Sequence, residues 1–155
     1  MHRFNIRVYG VLINEQKQVL VADEMIRGNL YTKFPGGGLE FGEGTRDCLA
    51  REFLEELDLR VEVGPHIYTT DFYVPSAFHP GQQIISIFYR VFALEAIKAR
   101  ISTTPFDFDT AQLQRYEQQQ EIETFRFIDW ANFSEDSVHL PVDKVVAKQL
   151  VNVTI

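Results

Sequence analysis

Residues 34 to 59 read FPGGGLEFGEGTRDCLAREFLEELDL, a stretch in which a glycine-rich bend is followed at once by a helical pattern. Pro35 and the three glycines after it end an apolar segment and predict a turn. From Thr45 to Leu57 the apolar residues recur at the helical period, with charged residues on the other faces. The stretch therefore predicts a strand, a glycine bend and an amphipathic helix, in that order.

Three glutamates of this helix, Glu52, Glu55 and Glu56, stand at positions i, i+3 and i+4 and share one helical face. Like charges at this spacing repel each other, so a cation has to compensate them. Arg51 and a bound metal ion are the candidates. Oxygen-only ligands fit Mg²⁺ or Mn²⁺, and the chain has no close set of His and Cys for zinc. The alternative is an ordinary solvated acidic face.

The glycines and glutamates keep the spacing Gly37-x5-Glu43-x7-Arg51-Glu52-Phe53-x-Glu55-Glu56-x-Asp58-Leu59. This pattern resembles the signature of the Nudix hydrolase family, and residues 34–36 and 38–42 are similar to the family's flanking loop. The resemblance implies an α+β fold, a Nudix-like α/β/α sandwich with a central mixed β-sheet. It also implies that residues 1–155 form a single Nudix hydrolase domain, which cleaves a diphosphate linkage with a divalent cation.

Roles for particular residues follow from the resemblance. The Gly37 carbonyl, Glu52, Glu55 and Glu56 are expected to bind the metal, and Arg51, Glu52 and Glu55 to take part in catalysis. Glu43 is expected to support Arg51. Gly36, Gly38 and Glu40 are expected to bind the substrate. The consecutive glycines allow close approach of the backbone to metal or phosphate. Among the cations able to meet phosphate oxygens we select Arg7 over Arg27, Lys33 and Arg90, although a surface charge is the ordinary interpretation of each.

A further catalytic base or metal ligand is expected outside the helix. Such enzymes usually carry it in a later loop, where Glu117, Glu121 and Glu123 are the candidates. We select Glu121, which stands four residues before the stretch Phe125–Asp129 that is similar to the family's late strand. A solvated loop carboxylate is the alternative.

Asp58 is the one departure from the signature, because the family has glycine there. The position falls at the expected end of the helix, where a left-handed residue closes the turn. Aspartate tolerates that conformation better than most residues. We therefore expect both the fold and the activity to survive the substitution.

The remaining periodicity predicts strands and one more helix. Strands are expected over Phe4–Ile13, Val19–Ala22, Leu30–Phe34, Val61–Val63, Ile67–Val74, Ile84–Leu94 and Thr124–Ile128, and a last helix from Pro141. The run Ile84–Leu94 is almost entirely apolar, which is typical of a central strand buried on both faces. Lys98–Gln120 is interpreted as a long loop with room for a helical turn.

Composition narrows the partners and the compartment. The net charge of −7 disfavours nucleic acid as a partner. Cys48 is the single cysteine, so an internal disulfide is excluded and a reducing cytoplasm is favoured. The chain has neither an N-terminal apolar signal nor 18 consecutive apolar residues, so we expect neither export nor membrane insertion. A homodimer through the apolar N-terminal strand is allowed but not required.

The preferred substrate is a nucleoside diphosphate linked to another group, such as ADP-ribose or a nucleotide sugar. A proline at Pro75, sixteen residues beyond Leu59, is similar to the ADP-ribose-cleaving subgroup, although a proline that ends a strand is the preferred interpretation of it. Three alternatives stay open: a nucleoside triphosphate pyrophosphohydrolase, a non-catalytic nucleotide-sensing module, and an isoprenoid diphosphate isomerase that would use Cys48.

Overall fold

The computed structural model describes residues 2–153. In chain order its elements are β1 (Arg3–Leu12), β2 (Gln18–Ile26), β3 (Asn29–Lys33), β4 (Gly36–Gly38), α1 (Thr45–Leu57), β5 (Val61–Thr69), β6 (Gln82–Ala93), β7 (Ile101–Ser102), α2 (Thr110–Gln119), β8 (Glu121–Asp129) and α3 (Pro141–Val151). Two short 3₁₀ turns, Trp130–Asn132 and Glu135–Ser137, precede α3. The chain forms two compact units: unit 1 runs to Leu12 and resumes over Pro35–Ala99, and unit 2 contains Ile13–Phe34 and the chain from Arg100 onward.

Unit 1 is a mixed four-stranded sheet in the order β4-β1-β6-β5, with helix α1 packed against it. β1 and β6 pair in parallel, and the two outer pairs are antiparallel. Gly10 allows the helix to come close, since a Cβ there would lie 2.8 Å from the Phe53 ring and 2.6 Å from Val91. The buried side of α1 is apolar and consists of Cys48, Leu49, Phe53 and Leu57.

Unit 2 is also a mixed four-stranded sheet, in the order β3-β2-β8-β7. Its helix α2 begins with a capping box, in which Asp109 and Gln112 each bond the other's backbone N–H. Helix α3 begins at Pro141, where a missing N–H costs nothing. Its Asp143 is buried and accepts a hydrogen bond from the Phe34 N–H at 2.9 Å.

The predicted α+β fold, with mixed sheet pairing and flanking helices, is confirmed. The central position predicted for Ile84–Leu94 is also correct, because β6 lies between β1 and β5, but the run is not buried on both faces to its end, since Phe92 and Leu94 are exposed. No helix among residues 2–153 is long and apolar enough to cross a membrane. The assignment of residues 1–155 to a single domain stays a prediction.

Several predicted boundaries were wrong. The interval 98–120 is not a long loop, since it contains the ten-residue helix α2 and the short strand β7. Its capping residues were visible in the sequence, but the helix buries none of its residues and has only three apolar ones, Ala111, Leu113 and Tyr116. Ile67–Val74 is not one strand, because β5 continues from Val61 across two bulges and ends at Thr69. The last sheet strand is longer than predicted and begins at Glu121.

Candidate active site

Helix α1 carries the acidic signature on its outer surface. Its apolar stripe faces the sheet, which leaves Glu52 and Glu56 half-buried at its margin and Glu55 exposed. The helix ends at Asp58, which takes the left-handed conformation (φ 49°, ψ 40°) and donates its backbone N–H to the Leu54 carbonyl. The predicted left-handed position of Asp58 is therefore confirmed, and the departure from glycine leaves the helix end in place.

The three glycines form strand β4 rather than a free loop. They pair with β1 in antiparallel register, Gly36 opposite Tyr9, Gly37 opposite Val8 and Gly38 opposite Arg7. A Cβ on Gly36 would strike the Val8 carbonyl, and one on Gly37 would lie 2.5 and 2.6 Å from the two carboxylate oxygens of Glu52. Glycine is therefore required at position 37, because the backbone touches the carboxylate of the signature helix.

Arg51 is the centre of the charged cluster. Its guanidinium donates to both carboxylate oxygens of Glu43, from Nε at 3.0 Å and from Nη2 at 2.7 Å. Nη1 pairs with Glu52 at 3.1 Å and Glu55 at 3.2 Å. Nη2 also donates to the carbonyl of Gly38 at 3.1 Å. Arg51 thus connects helix α1 to the segment that carries Gly38 and Glu43, which includes the contact expected between Glu43 and Arg51.

The pair of Glu43 and Arg51 is electrostatically strong. Hydrogen bonds from Arg51, and then the bond from the Glu40 backbone N–H, lower the pKa of Glu43 to about 2. The same bonds to Glu43 raise the pKa of Arg51 above its ordinary value. Glu40 itself is exposed and lies 3.7 Å from Arg51 Nη1. The bidentate bond keeps both groups charged at every physiological pH.

Cys48 lies directly beneath this cluster. It is fully buried, and its Sγ is 3.5 Å from the Gly38 carbonyl. Burial, followed by the hydrogen bond with Glu43, raises the pKa of Cys48 to about 12. The thiol is thus protonated and poorly nucleophilic, which argues against the isomerase alternative.

Arg7 lies in β1, directly opposite Gly38 of the glycine strand β4. It is half-buried, its Nε donates to the Tyr9 hydroxyl at 2.6 Å, and its Nη1 would lie 3.6 Å from a Cβ on Gly38. The electrostatic interaction with Tyr9 is the main cause that raises the pKa of Arg7, and Glu52 and Glu56 raise it to a smaller extent. Arg7 and Arg51 therefore place two permanent positive charges against the same glycine.

The structure brings together most of the predicted site residues but not all of them. Unit 1 gathers Arg7, Gly36, Gly37, Gly38, Glu40, Glu43, Arg51, Glu52, Glu55 and Glu56. Glu121 belongs to unit 2, where it is the exposed first residue of β8 and pairs with Ile26. It is a strand residue rather than a loop residue, and its role as a base stays a prediction.

The chemistry of the donors fits a hard divalent cation. Carboxylates and a glycine carbonyl are oxygen ligands of the kind that Mg²⁺ and Mn²⁺ prefer. The Glu52 carboxylate lies against the backbone of Gly37, since a Cβ there would come within 2.6 Å of both of its oxygens. In the part of the chain that the structure describes, no three acidic, His or Cys side chains already converge as a metal site. Glu52 and Glu55 instead share Nη1 of Arg51.

Comparisons with known proteins agree on one family. The family model described as the NUDIX domain matches residues 3–146. The fold is similar to the solution structure of the E. coli ORF135 protein, with a TM-score of 0.68, 15% identity, and coverage of 97% of this chain and 91% of that one. It is also similar to a MutT structure from work on Aliivibrio salmonicida and Vibrio cholerae, with a TM-score of 0.60, 15% identity, and coverage of 96% and 98%. An ADP-ribose pyrophosphatase from Streptococcus suis gives a TM-score of 0.53, 13% identity, and coverage of 97% and 94%.

The matched residues span nearly the whole chain, so this protein belongs to the Nudix family. It is a hydrolase that acts on pyrophosphate bonds. The family acts on nucleotide-like small molecules and generally needs a divalent cation. The structural neighbours, at 13–15% identity, support the fold and leave the substrate to be tested.

Sequence reasoning did not identify two contacts of the cluster. The carbonyl of Gly38 accepts from Arg51, and the hydroxyl of Tyr9 accepts from Arg7. The first could not be read from the spacing of residues, since it depends on how β4 pairs with β1. The second had a signal, because Arg7 and Tyr9 alternate onto the same side of a predicted strand.

Proposed function

We propose that this enzyme hydrolyses the diphosphate linkage of a nucleoside diphosphate joined to another group, such as ADP-ribose or a nucleotide sugar. The observation that carries the proposal is the arrangement around β4. Glu52 touches Gly37, Arg51 binds the Gly38 carbonyl, and Nη1 of Arg7 would lie 3.6 Å from a Cβ on Gly38. Carboxylates for a cation and a guanidinium for phosphate oxygens thus lie along one short strand.

Each residue of the cluster has a proposed part in the reaction. The cation is held by the Gly37 carbonyl, Glu52, Glu55 and Glu56, and we propose Mg²⁺ or Mn²⁺. When bound, it supplies positive charge that offsets the charge on the phosphoryl oxygens. Glu43 keeps Arg51 in place. The diphosphate is bound and oriented by Arg7, Gly36, Gly38 and Glu40, and orientation is a large part of the expected rate enhancement.

Two features favour a substrate with a further group beyond the diphosphate. First, the fold is similar over nearly the whole chain to a structure described as an ADP-ribose pyrophosphatase. Second, Phe72 and Tyr73 are exposed on a segment whose flanking residues, Thr70 and Val74, bond to Ser86 and Ile84 of β6. Ser86 is the register partner of Arg7, so the two aromatic side chains belong to a segment about two strand spacings, roughly 10 Å, from it. Exposed aromatic rings can stack on a base or a second moiety.

Pro75 gives little support to the choice of an ADP-ribose-like substrate. It forms an isolated antiparallel bridge with Gln83 next to the start of β6, and its neighbours Val74 and Ser76 both bond to that region. Its role in ending the chain segment beside the sheet is sufficient to explain it.

The test is a substrate panel with Mg²⁺ that compares ADP-ribose, nucleotide sugars, dinucleoside polyphosphates and nucleoside triphosphates by kcat/KM. We expect a nucleoside diphosphate linked to a second group to be hydrolysed at least about tenfold more efficiently than any triphosphate, a difference of roughly 1.4 kcal/mol in transition-state stabilisation. A triphosphate as the best substrate would overturn the substrate proposal and favour a triphosphate pyrophosphohydrolase.

The proposed base is tested by measuring variants on the same substrates. Glu121→Gln should lower kcat if Glu121 is the base, while Glu117→Gln, on the exposed surface of α2, should not. We further propose a cytoplasmic enzyme that acts without nucleic acid or membrane, with a homodimer as a possible assembly. Its size in solution and its location in cells are the direct measurements.

A further inference from the structure

We propose that Tyr9 is a positioning residue that fixes the direction of the Arg7 guanidinium, so that its two terminal nitrogens are presented to the phosphate oxygens of the substrate. This inference rests on the proposed role of Arg7 in substrate binding. It adds to that role a second residue, which does not itself touch the substrate.

Tyr9 is an anchored side chain. It is 4% exposed, and its ring packs against Phe88 of the neighbouring strand with 5.3 Å between ring centroids. Phe88 is its parallel register partner and is fully buried. A ring fixed in this way holds its hydroxyl at a defined point, which a flexible side chain could not do.

Arg7 is held at one end only. Its Nε donates to the Tyr9 hydroxyl at 2.6 Å, and its guanidinium carbon lies 5.7 Å from the centre of the Tyr9 ring. Among residues 2–153, its terminal nitrogens Nη1 and Nη2 have no hydrogen bond or ion pair. The planar fork that remains is the geometry by which arginine binds phosphate through two parallel N–H bonds.

The neighbours of Arg7 keep that fork accessible. Its register partners on the two sides are Gly38 and Ser86, which have no side chain and a very small one. A Cβ on Gly38 would already reach ordinary contact with Nη1, at 3.6 Å. Larger residues at either position would cover the guanidinium from the side.

The bond to Tyr9 also affects the free energy of substrate binding. A long arginine side chain loses considerable rotamer entropy when it binds a ligand, on the order of 1–2 kcal/mol. The Tyr9 hydroxyl fixes the guanidinium before the substrate arrives, so less of this entropy is lost on binding. Loss of the hydroxyl should therefore raise KM much more than it lowers kcat.

The experiment is a double-mutant cycle of Tyr9→Phe and Arg7→Ala, measured with the best hydrolysed diphosphate of the panel. Tyr9→Phe keeps the ring against Phe88 and removes only the hydroxyl. We expect it to raise KM roughly five- to tenfold with kcat within about twofold, which corresponds to about 1–1.4 kcal/mol and falls within the rotamer entropy of an arginine side chain. In the Arg7→Ala background the same change should leave KM unaltered.

Tyr116→Phe is the matched control. The Tyr116 hydroxyl accepts an equally short bond, 2.6 Å from the Gly28 N–H, in unit 2. This variant should lower the melting temperature without changing KM, so it separates loss of stability from loss of substrate affinity.

The outcomes distinguish the inference from the proposals on which it rests. An increase in KM on Tyr9→Phe that persists in the Arg7→Ala background would overturn it, as would an unchanged KM in Tyr9→Phe when Arg7→Ala raises KM. Arg7→Ala with unaltered KM would overturn both the inference and the binding role of Arg7. The choice between diphosphate and triphosphate substrates is decided by the panel and does not enter the cycle.

Discussion

The two units each contain a charged cluster, and the clusters are built in opposite ways. In unit 1 a single guanidinium, that of Arg51, has four carboxylates within 3.7 Å, from Glu40, Glu43, Glu52 and Glu55. In unit 2 a single carboxylate, that of Asp23, is surrounded by donors: the Thr32 hydroxyl at 2.7 Å, the Phe106 N–H at 3.2 Å, and Arg126 at 2.6 and 3.1 Å.

The difference between them supports the proposal that the cluster of unit 1, and not that of unit 2, binds a cation. Asp23 is fully buried and its charge is balanced by Arg126, so the cluster in unit 2 is complete, and removal of either partner would leave a charge without its counter-charge. Around Arg51 negative charge is in excess, and Glu55 and Glu40 remain exposed to solvent. An excess of carboxylates next to a glycine backbone has room for a cation, whereas a balanced buried pair has none.

The largest expected effect is on activity, in the cluster of unit 1. Glu52→Gln should lower kcat/KM by roughly a thousandfold, about 4 kcal/mol, because the carboxylate that touches Gly37 loses its charge. The melting temperature should hold or rise, since one of several repelling charges is removed. Glu62→Gln, on the exposed surface of β5, is the control. A loss of less than about tenfold in Glu52→Gln would contradict the assignment.

The opposite pattern is expected in unit 2. Asp23→Asn should lower the free energy of unfolding by about 3–5 kcal/mol, because Arg126 would keep a nearly buried charge without its partner. Urea denaturation measures this loss. Thr32→Val, which removes only one hydroxyl donor to Asp23, should cost about 1 kcal/mol. If Asp23→Asn unfolded at the same urea concentration as the parent protein, the buried pair would not have the stabilising role described.

A smaller effect is expected at the end of helix α1. Asp58→Gly should raise the free energy of unfolding by about 1 kcal/mol, because glycine adopts the left-handed conformation without the Cβ clash. Gln120, at the end of α2, is also left-handed, with φ 59°, so Gln120→Gly should stabilise the protein at least as much. A less stable Asp58→Gly variant would show that the Asp58 side chain has a role of its own.

The smallest expected effect is on the stability of the protein at low pH. The folded-state pKa of Glu43, about 2, is below its ordinary value of 4.5, so the charged form stabilises the fold above about pH 4.5 and this contribution is lost as the pH falls toward 2. The difference in stability between the parent and Glu43→Gln should therefore shrink over that interval. Chemical denaturation at several pH values measures it, and a difference independent of pH would contradict the assigned bond to Arg51.

The cluster of unit 1 was largely predictable, whereas that of unit 2 was not. Helical spacing alone placed Glu52, Glu55 and Glu56 on one face, and the resemblance supplied the pair of Glu43 and Arg51. Asp23 and Arg126 are 103 positions apart, and their contact depends on strand pairing that no local pattern reveals.

The same limit explains the errors in the fold. Helix α2 buries none of its residues and has only three apolar ones, Ala111, Leu113 and Tyr116, so its hydrophobic signal was weak. The capping box of Asp109 and Gln112 was the clearer indication of its start. The glycines of β4 have no strand propensity, and their pairing is imposed by contact with β1. Local patterns therefore predicted elements with an apolar face and missed those formed by tertiary contacts.

Binding of Mn²⁺, followed by electron paramagnetic resonance without substrate, tests the role of the unit 1 cluster most directly. We expect the parent protein and Glu62→Gln to bind the ion alike, and Glu52→Gln and Glu56→Gln to bind it at least about tenfold more weakly, since each loses an oxygen ligand with its charge. Equal binding by all four proteins would show that the ion is held elsewhere and that the carboxylates around Arg51 serve the fold alone.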